Sequence, residues 1–141
     1  MSKQIDPRGP RFGAAITTVV LAVILLTIPT TLAIVLLAVQ TTVFGLGAFV
    51  GLHAQPYGII YRKLVLARIG KPTELEPVEP PQFAQLVGFL FAVVGLVALL
   101  YGADLVATIA VGFALAAAFL NAVFNFCLGC EMYLIGKRIF S

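Results

Sequence analysis

The chain has 141 residues, of which 61% are hydrophobic and only 11% charged, and its net charge is +3. Soluble domains carry about 25% charged residues, so this chain has too little polar material to cover a water-facing surface, and a mean hydropathy of +1.08 agrees. A soluble fold is excluded, and nucleic-acid binding with it, because the basic residues flank apolar runs instead of gathering into a patch.

The N-terminal stretch carries Lys3, Arg8 and Arg11 and looks at first like the basic region of a secretion signal. The apolar run behind it is far longer than the roughly 7–15 residues of a signal core. No charged residue occurs between Phe12 and Tyr61, which reads as retained membrane helices. A single helix over Phe12–Leu52 would reach about 60 Å, twice the hydrocarbon thickness. The run therefore divides in two. Pro29, in "TIPTT", removes a backbone donor and disfavours the helical conformation at Ile28. The expected helices are 12–28 and 31–52. Gly45, Gly47, Gly51 and Gly88 are suited to close helix packing.

The segment 53–82 is expected to be a cytoplasmic loop. Tyr57–Ile69, with Arg62, Lys63 and Arg68, suits a short helix in the headgroup plane. "KPTELEPVEPP" reads as an acidic, extended linker. The second half repeats the plan, with helices expected at 83–101 and 105–127 around a turn at "YGAD". "PRFGAAI" (10–16) and "PQFAQLV" (81–87) open the two halves alike, a faint sign of duplication. The fold class is all-α integral membrane: one domain over 1–141, a four-transmembrane-helix bundle of two helical hairpins with a short interfacial helix between them. All nine Lys and Arg lie in the two tails or the central loop, which places both termini and that loop in the cytoplasm.

The chemistry narrows to "FNFCLGCEMY" (124–133). Cys127 and Cys130 form a C-x-x-C at the foot of the last helix. A cytoplasmic position argues against a structural disulfide and for redox or metal chemistry. A thiolate would be favoured if the helix broke near Phe126 and restarted at the cysteines, which Gly129 permits. His53 as imidazolium would help, and Glu131 would oppose unless paired with Arg62 or Lys137. Zinc is an alternative, on Cys127, Cys130, His53 and Glu131. Simple packing of two small apolar residues is another. No other cofactor is expected. Asn121 and Asn125 share one helical face, opposite the cysteines if the helix runs straight; they suit interhelical hydrogen bonds or a polar cavity. Arg8 and Arg11, held between prolines, are expected to pair with Glu131, bind an anionic group, or simply set orientation.

"DPRGPRF", His53 with Pro56 and Tyr57, and "FNFCLGCEMY" together resemble the bacterial membrane family catalogued as domain of unknown function 4395. The resemblance implies small four-helix proteins of the bacterial cytoplasmic membrane, often encoded near thioredoxin-like proteins or sulfurtransferases. It implies redox or sulfur handling at Cys127 and Cys130 with such a soluble partner. A non-enzymatic membrane subunit or anchor, a homo-oligomer, and a small sulfur-species transporter stay open beside it.

Overall fold

The computed structural model describes residues 4–5, 8–28, 30–51, 56–65, 68, 76–77, 79–124 and 128–140. Its helices are α1 (Arg8–Thr27), α2 (Thr31–Gly45), α3 (Pro56–Ile60), α4 (Glu79–Leu100), α5 (Asp104–Phe124) and α6 (Leu128–Phe140). Two π-helical turns, Leu46–Val50 and Tyr61–Val65, extend α2 and α3. Among the described residues four helical segments are long and apolar enough to cross a membrane: Gly9–Thr27, Thr31–Val50, Pro81–Leu100 and Asp104–Phe124.

Helix ends follow local chemistry. α1 and α4 begin four residues earlier than the expected 12 and 83, because Pro10 and the pair Pro80–Pro81 sit in their first turns. The backbone N–H groups there have no intrahelical acceptor, so proline removes nothing. At the opposite end, the Thr30 hydroxyl caps α2 by accepting from the Ala33 N–H at 3.4 Å. After α4 the chain closes a Schellman turn: Ala103 N–H donates to Ala98 O at 2.7 Å and Gly102 N–H to Leu99 O at 3.2 Å. Gly102 has φ of +78°, a backbone conformation that favours glycine. Gly51, with φ of +137°, ends the π-helical turn after α2.

The four long helices form a ring in which α1 packs on α2, α2 on α4, α4 on α5, and α5 back on α1. Leu21, Ile24, Leu37, Ala107 and Val111 fill its centre. Small residues set the spacing, as expected where lipid offers no hydrophobic drive between helices. A Cβ on Gly88 would lie 2.7 Å from the Phe44 ring, and one on Gly95 would press Val111 and Leu37 at 3.2 and 3.3 Å. Large apolar side chains such as Leu26 and Leu105 point outward, 86% and 74% exposed, which is consistent with lipid contact.

The faint repeat has a structural counterpart. Phe12 and Phe83, 71 positions apart, each tilt against a tyrosine: Phe12 on Tyr61 at 5.8 Å and Phe83 on Tyr133 at 5.7 Å. Arg11 and Gln82, also 71 apart, each donate to a carbonyl near the end of a long helix of the other half, at Ala122 and Ala48 respectively, both at 3.1 Å. The sequence α1–α2–α3 therefore mirrors α4–α5–α6.

Within the segment expected to be helical over 57–69, the described residues Pro56–Val65 are helical: α3 and its π-helical turn dock on α1, with Tyr61 only 2% exposed. The linker is not wholly free, since Glu76–Pro77 pairs antiparallel with Gln4–Ile5. The last long helix is described as far as Phe124, its expected end at 127 lies outside the described residues, and a helix that packs on α4 begins at Leu128.

Candidate functional site

α6 is a thirteen-residue helix with Glu131 in its first turn and Lys137 and Arg138 in its last. Both placements complement the helix dipole. It is not a prolongation of α5: it packs mainly on α4. The contact is close because Gly129 lies directly on Ala84, where an added Cβ would come within 2.6 Å of the Ala84 Cα and Cβ. Gly129, the second residue of α6, thus serves as a contact point between helices.

Cys130 is the third residue of α6, in the turn where unpaired N–H groups gather positive potential. It is disulfide-bonded, and Cys127 is the only other cysteine in the sequence. This differs from the reduced thiols expected at a cytosolic face. Cys127, His53 and Asn125 lie outside the described residues. Among the described residues no three His, Cys, Asp or Glu side chains gather as a metal site, and a sulfur held in a disulfide is not a thiolate ligand. Glu131 is exposed.

Beside α6 lies a cavity of about 220 Å³. Its walls come from α1, α2, α4, α5 and α6, and Gly129 and Met132, on either side of Cys130 in sequence, form part of them. Three polar side chains line it: Thr17, Gln85 and Asn121. Thr17 is 5% exposed. Asn121 is therefore near the cysteine segment, whereas a straight helix would have turned the asparagine face away from it. The sequence reading missed Thr17 and Gln85 because each is a common polar residue within an apolar helix. Their convergence is a tertiary fact.

A second polar feature was also missed, although its signal is plain. Gln40 interrupts the apolar run of α2 and is fully buried. Its Oε1 accepts from the Tyr57 hydroxyl at 2.8 Å, while its Nε2 has no hydrogen-bond partner. Burial pushes the Tyr57 phenol above its ordinary 10.0, so it stays protonated and donates at neutral pH.

The arginine tail has a specific task. Arg11 donates from Nε to Ala122 O at 3.1 Å and from its guanidinium to Val123 O at 3.3 Å. These carbonyls belong to the last turn of α5, where four acceptors lack intrahelical donors and the dipole is negative. Replacing Arg11 with Met should lower stability by about 1 kcal/mol, with Lys retaining part of it. Thermal unfolding in nanodiscs measures this, and an unchanged midpoint for Arg11→Met would show the contact to be idle.

With this geometry the comparison to known proteins is direct. The profile of one protein family, a domain of unknown function (DUF4395), matches residues 5–138. The chain belongs to the DUF4395 family. The match runs from Ile5 through the last turn of α6, so the cysteine helix is part of the family's unit. No curated protein and no solved structure matches the chain.

Proposed function

We propose that this DUF4395 protein is a membrane thiol protein whose Cys127–Cys130 pair exchanges electrons or sulfane sulfur with a soluble partner at the cytoplasmic face. The observation that carries the reading is the disulfide-bonded Cys130 in the first turn of a separate helix. A cysteine there gains from the positive end of the helix dipole when it becomes a thiolate. Cys130 is partly exposed, so a partner can reach it.

The long helices cross the bacterial cytoplasmic membrane as two hairpins. The N-terminal tail, the central loop and α6 are cytoplasmic, because they carry all nine Lys and Arg. α3 and α6 sit at that headgroup level. The partner is a thioredoxin-like protein or a sulfurtransferase.

The test is trapping. A thioredoxin-like protein lacking its resolving cysteine is mixed with inverted vesicles holding wild type, Cys127→Ser or Cys130→Ser. Cys130→Ser should lower mixed-disulfide yield by at least about tenfold. Equal trapping by a double serine variant would defeat the thiol reading and favour a non-enzymatic membrane subunit.

A further inference from the structure

We propose that the cavity beside α6 binds the ring of a membrane-soluble quinone, which accepts the electrons of the cysteine pair. The proposal rests on the thiol reading above and supplies what that reading lacks, a sink for electrons. The chain has one pair of cysteines, so a dithiol that passes electrons onward needs an acceptor of another kind.

The first argument comes from the duplication. Tyr57 stands four residues before Tyr61, and Gly129 stands four residues before Tyr133. Each later tyrosine packs on the phenylalanine of its own half. In the first half Tyr57 sends its phenol into the bundle and donates to Gln40. In the second half glycine occupies that position, and the cavity lies beside it. The first half fills its end of the bundle with an oxygen-bearing six-membered ring of its own. In the second half Ala84 takes the space on the Cβ side of Gly129, and the room for a ring is the cavity that Gly129 also lines.

The second argument is the chemistry of the walls. Small residues, among them Gly88, Ala114, Ala117 and Ala118, leave the space, and Phe44, Phe91 and Phe113 offer ring faces. A quinone ring is flat and apolar on its faces, with a carbonyl oxygen at each end. Asn121 carries an amide N–H₂ donor and Thr17 a hydroxyl, groups that suit such oxygens. An apolar pocket with a few convergent polar groups is the usual form of a small-molecule site. Access is lateral: Phe91 and Phe113 pair across α4 and α5 at 6.1 Å and are both exposed on the outer, lipid-directed face. A ligand entering there comes from the bilayer, which fits a quinone with an isoprenoid tail.

The third argument is adjacency. Gly129 and Met132 line the cavity, and Cys130 lies between them in sequence and is disulfide-bonded. The step balances without a further reagent. Two S–H bonds of the reduced pair break and one S–S bond forms, releasing two electrons and two protons. The quinone takes both electrons and both protons and becomes a hydroquinone with two new O–H bonds. A soluble dithiol then reduces the disulfide by thiol exchange and is itself oxidised.

The experiment uses the full chain in nanodiscs, reduced and freed of reductant, with a decyl-substituted dimethoxybenzoquinone as probe. Wild type should bind the probe and bleach its absorbance, forming one disulfide per hydroquinone. Cys130→Ser should bind it and leave it oxidised. Ala118→Phe, which fills the cavity, and Asn121→Leu, which removes a donor without adding bulk, should each weaken binding by about tenfold or more. Both must elute as wild type does and keep exchanging thiols with the soluble partner. Wild-type affinity in both variants would overturn the proposal. So would thiol exchange without any quinone binding, an outcome that leaves the thiol reading standing. Quinone binding in a protein that exchanges no thiols would overturn the electron step and the thiol reading together.

Discussion

Replacing Gly129 with Leu should detach α6 from α4 and cost the protein about 1–3 kcal/mol, the range for forcing bulk into a packed contact. The reason is steric. The new Cβ would meet the Cα and Cβ of Ala84 at 2.6 Å. The near atoms include backbone, which has no rotamer by which to retreat. Gly129→Ala should already show most of the effect, because the Cβ itself makes the clash. Ala84→Gly should restore part of it, a non-additivity expected of neighbours in contact. Thermal unfolding in nanodiscs gives the size. Limited proteolysis near Lys137 and Arg138 reports whether α6 is released. A Gly129→Leu protein with wild-type midpoint and protection would mean that α6 does not rest on α4.

Tyr57→Phe should destabilise by about 1–3 kcal/mol, the cost of leaving a buried polar group unsatisfied. Gln40 is fully buried and its Nε2 already lacks a partner. Loss of the phenol hydroxyl would orphan Oε1 as well. In the double variant Gln40→Leu with Tyr57→Phe, no orphan of this pair remains, and stability should return to wild type or exceed it. The asymmetry between single and double variants is the diagnostic. A Tyr57→Phe midpoint equal to wild type would show that the hydrogen bond contributes nothing. The contribution of Tyr57 to pH dependence has a definite sign. Its folded-state pKa is raised above 10.0 by burial, so the folded state holds this proton where the unfolded chain releases it. Stability from this group is complete below pH 10 and falls as pH rises past it. Between pH 6 and 9 it should be flat.

The membrane class was legible in composition because burial of charge in lipid is costly at any position. The long helices were legible for the same reason, and their starts differed most where proline occupies a first turn. Pro10 read as part of a stiff tail and Pro80–Pro81 as part of an extended linker, yet a first turn has no N–H to lose. The turn at "YGAD" was read correctly because Gly102 supplies the left-handed conformation that a Schellman closure needs. The duplication was visible only as a few matched letters. Its strength lies in matched contacts, of Arg11 and Gln82 each with a carbonyl of the other half and of Tyr61 and Tyr133 each with a phenylalanine of its own half, which a sequence does not display.

By itself the sequence determined that this chain has helices suited to lipid, where each of the four begins and ends to within a few residues, and which segment holds both cysteines. Those properties are local: each follows from hydropathy, proline, glycine and charge within a window of about twenty residues. Only the tertiary structure decided that α6 is a helix apart, that Gly129 packs on Ala84, and that Thr17, Gln85 and Asn121 meet in one cavity beside α6. Those properties depend on which side chains face each other across helices far apart in the chain. Periodicity fixes the face of one helix, and packing alone fixes the neighbour it meets.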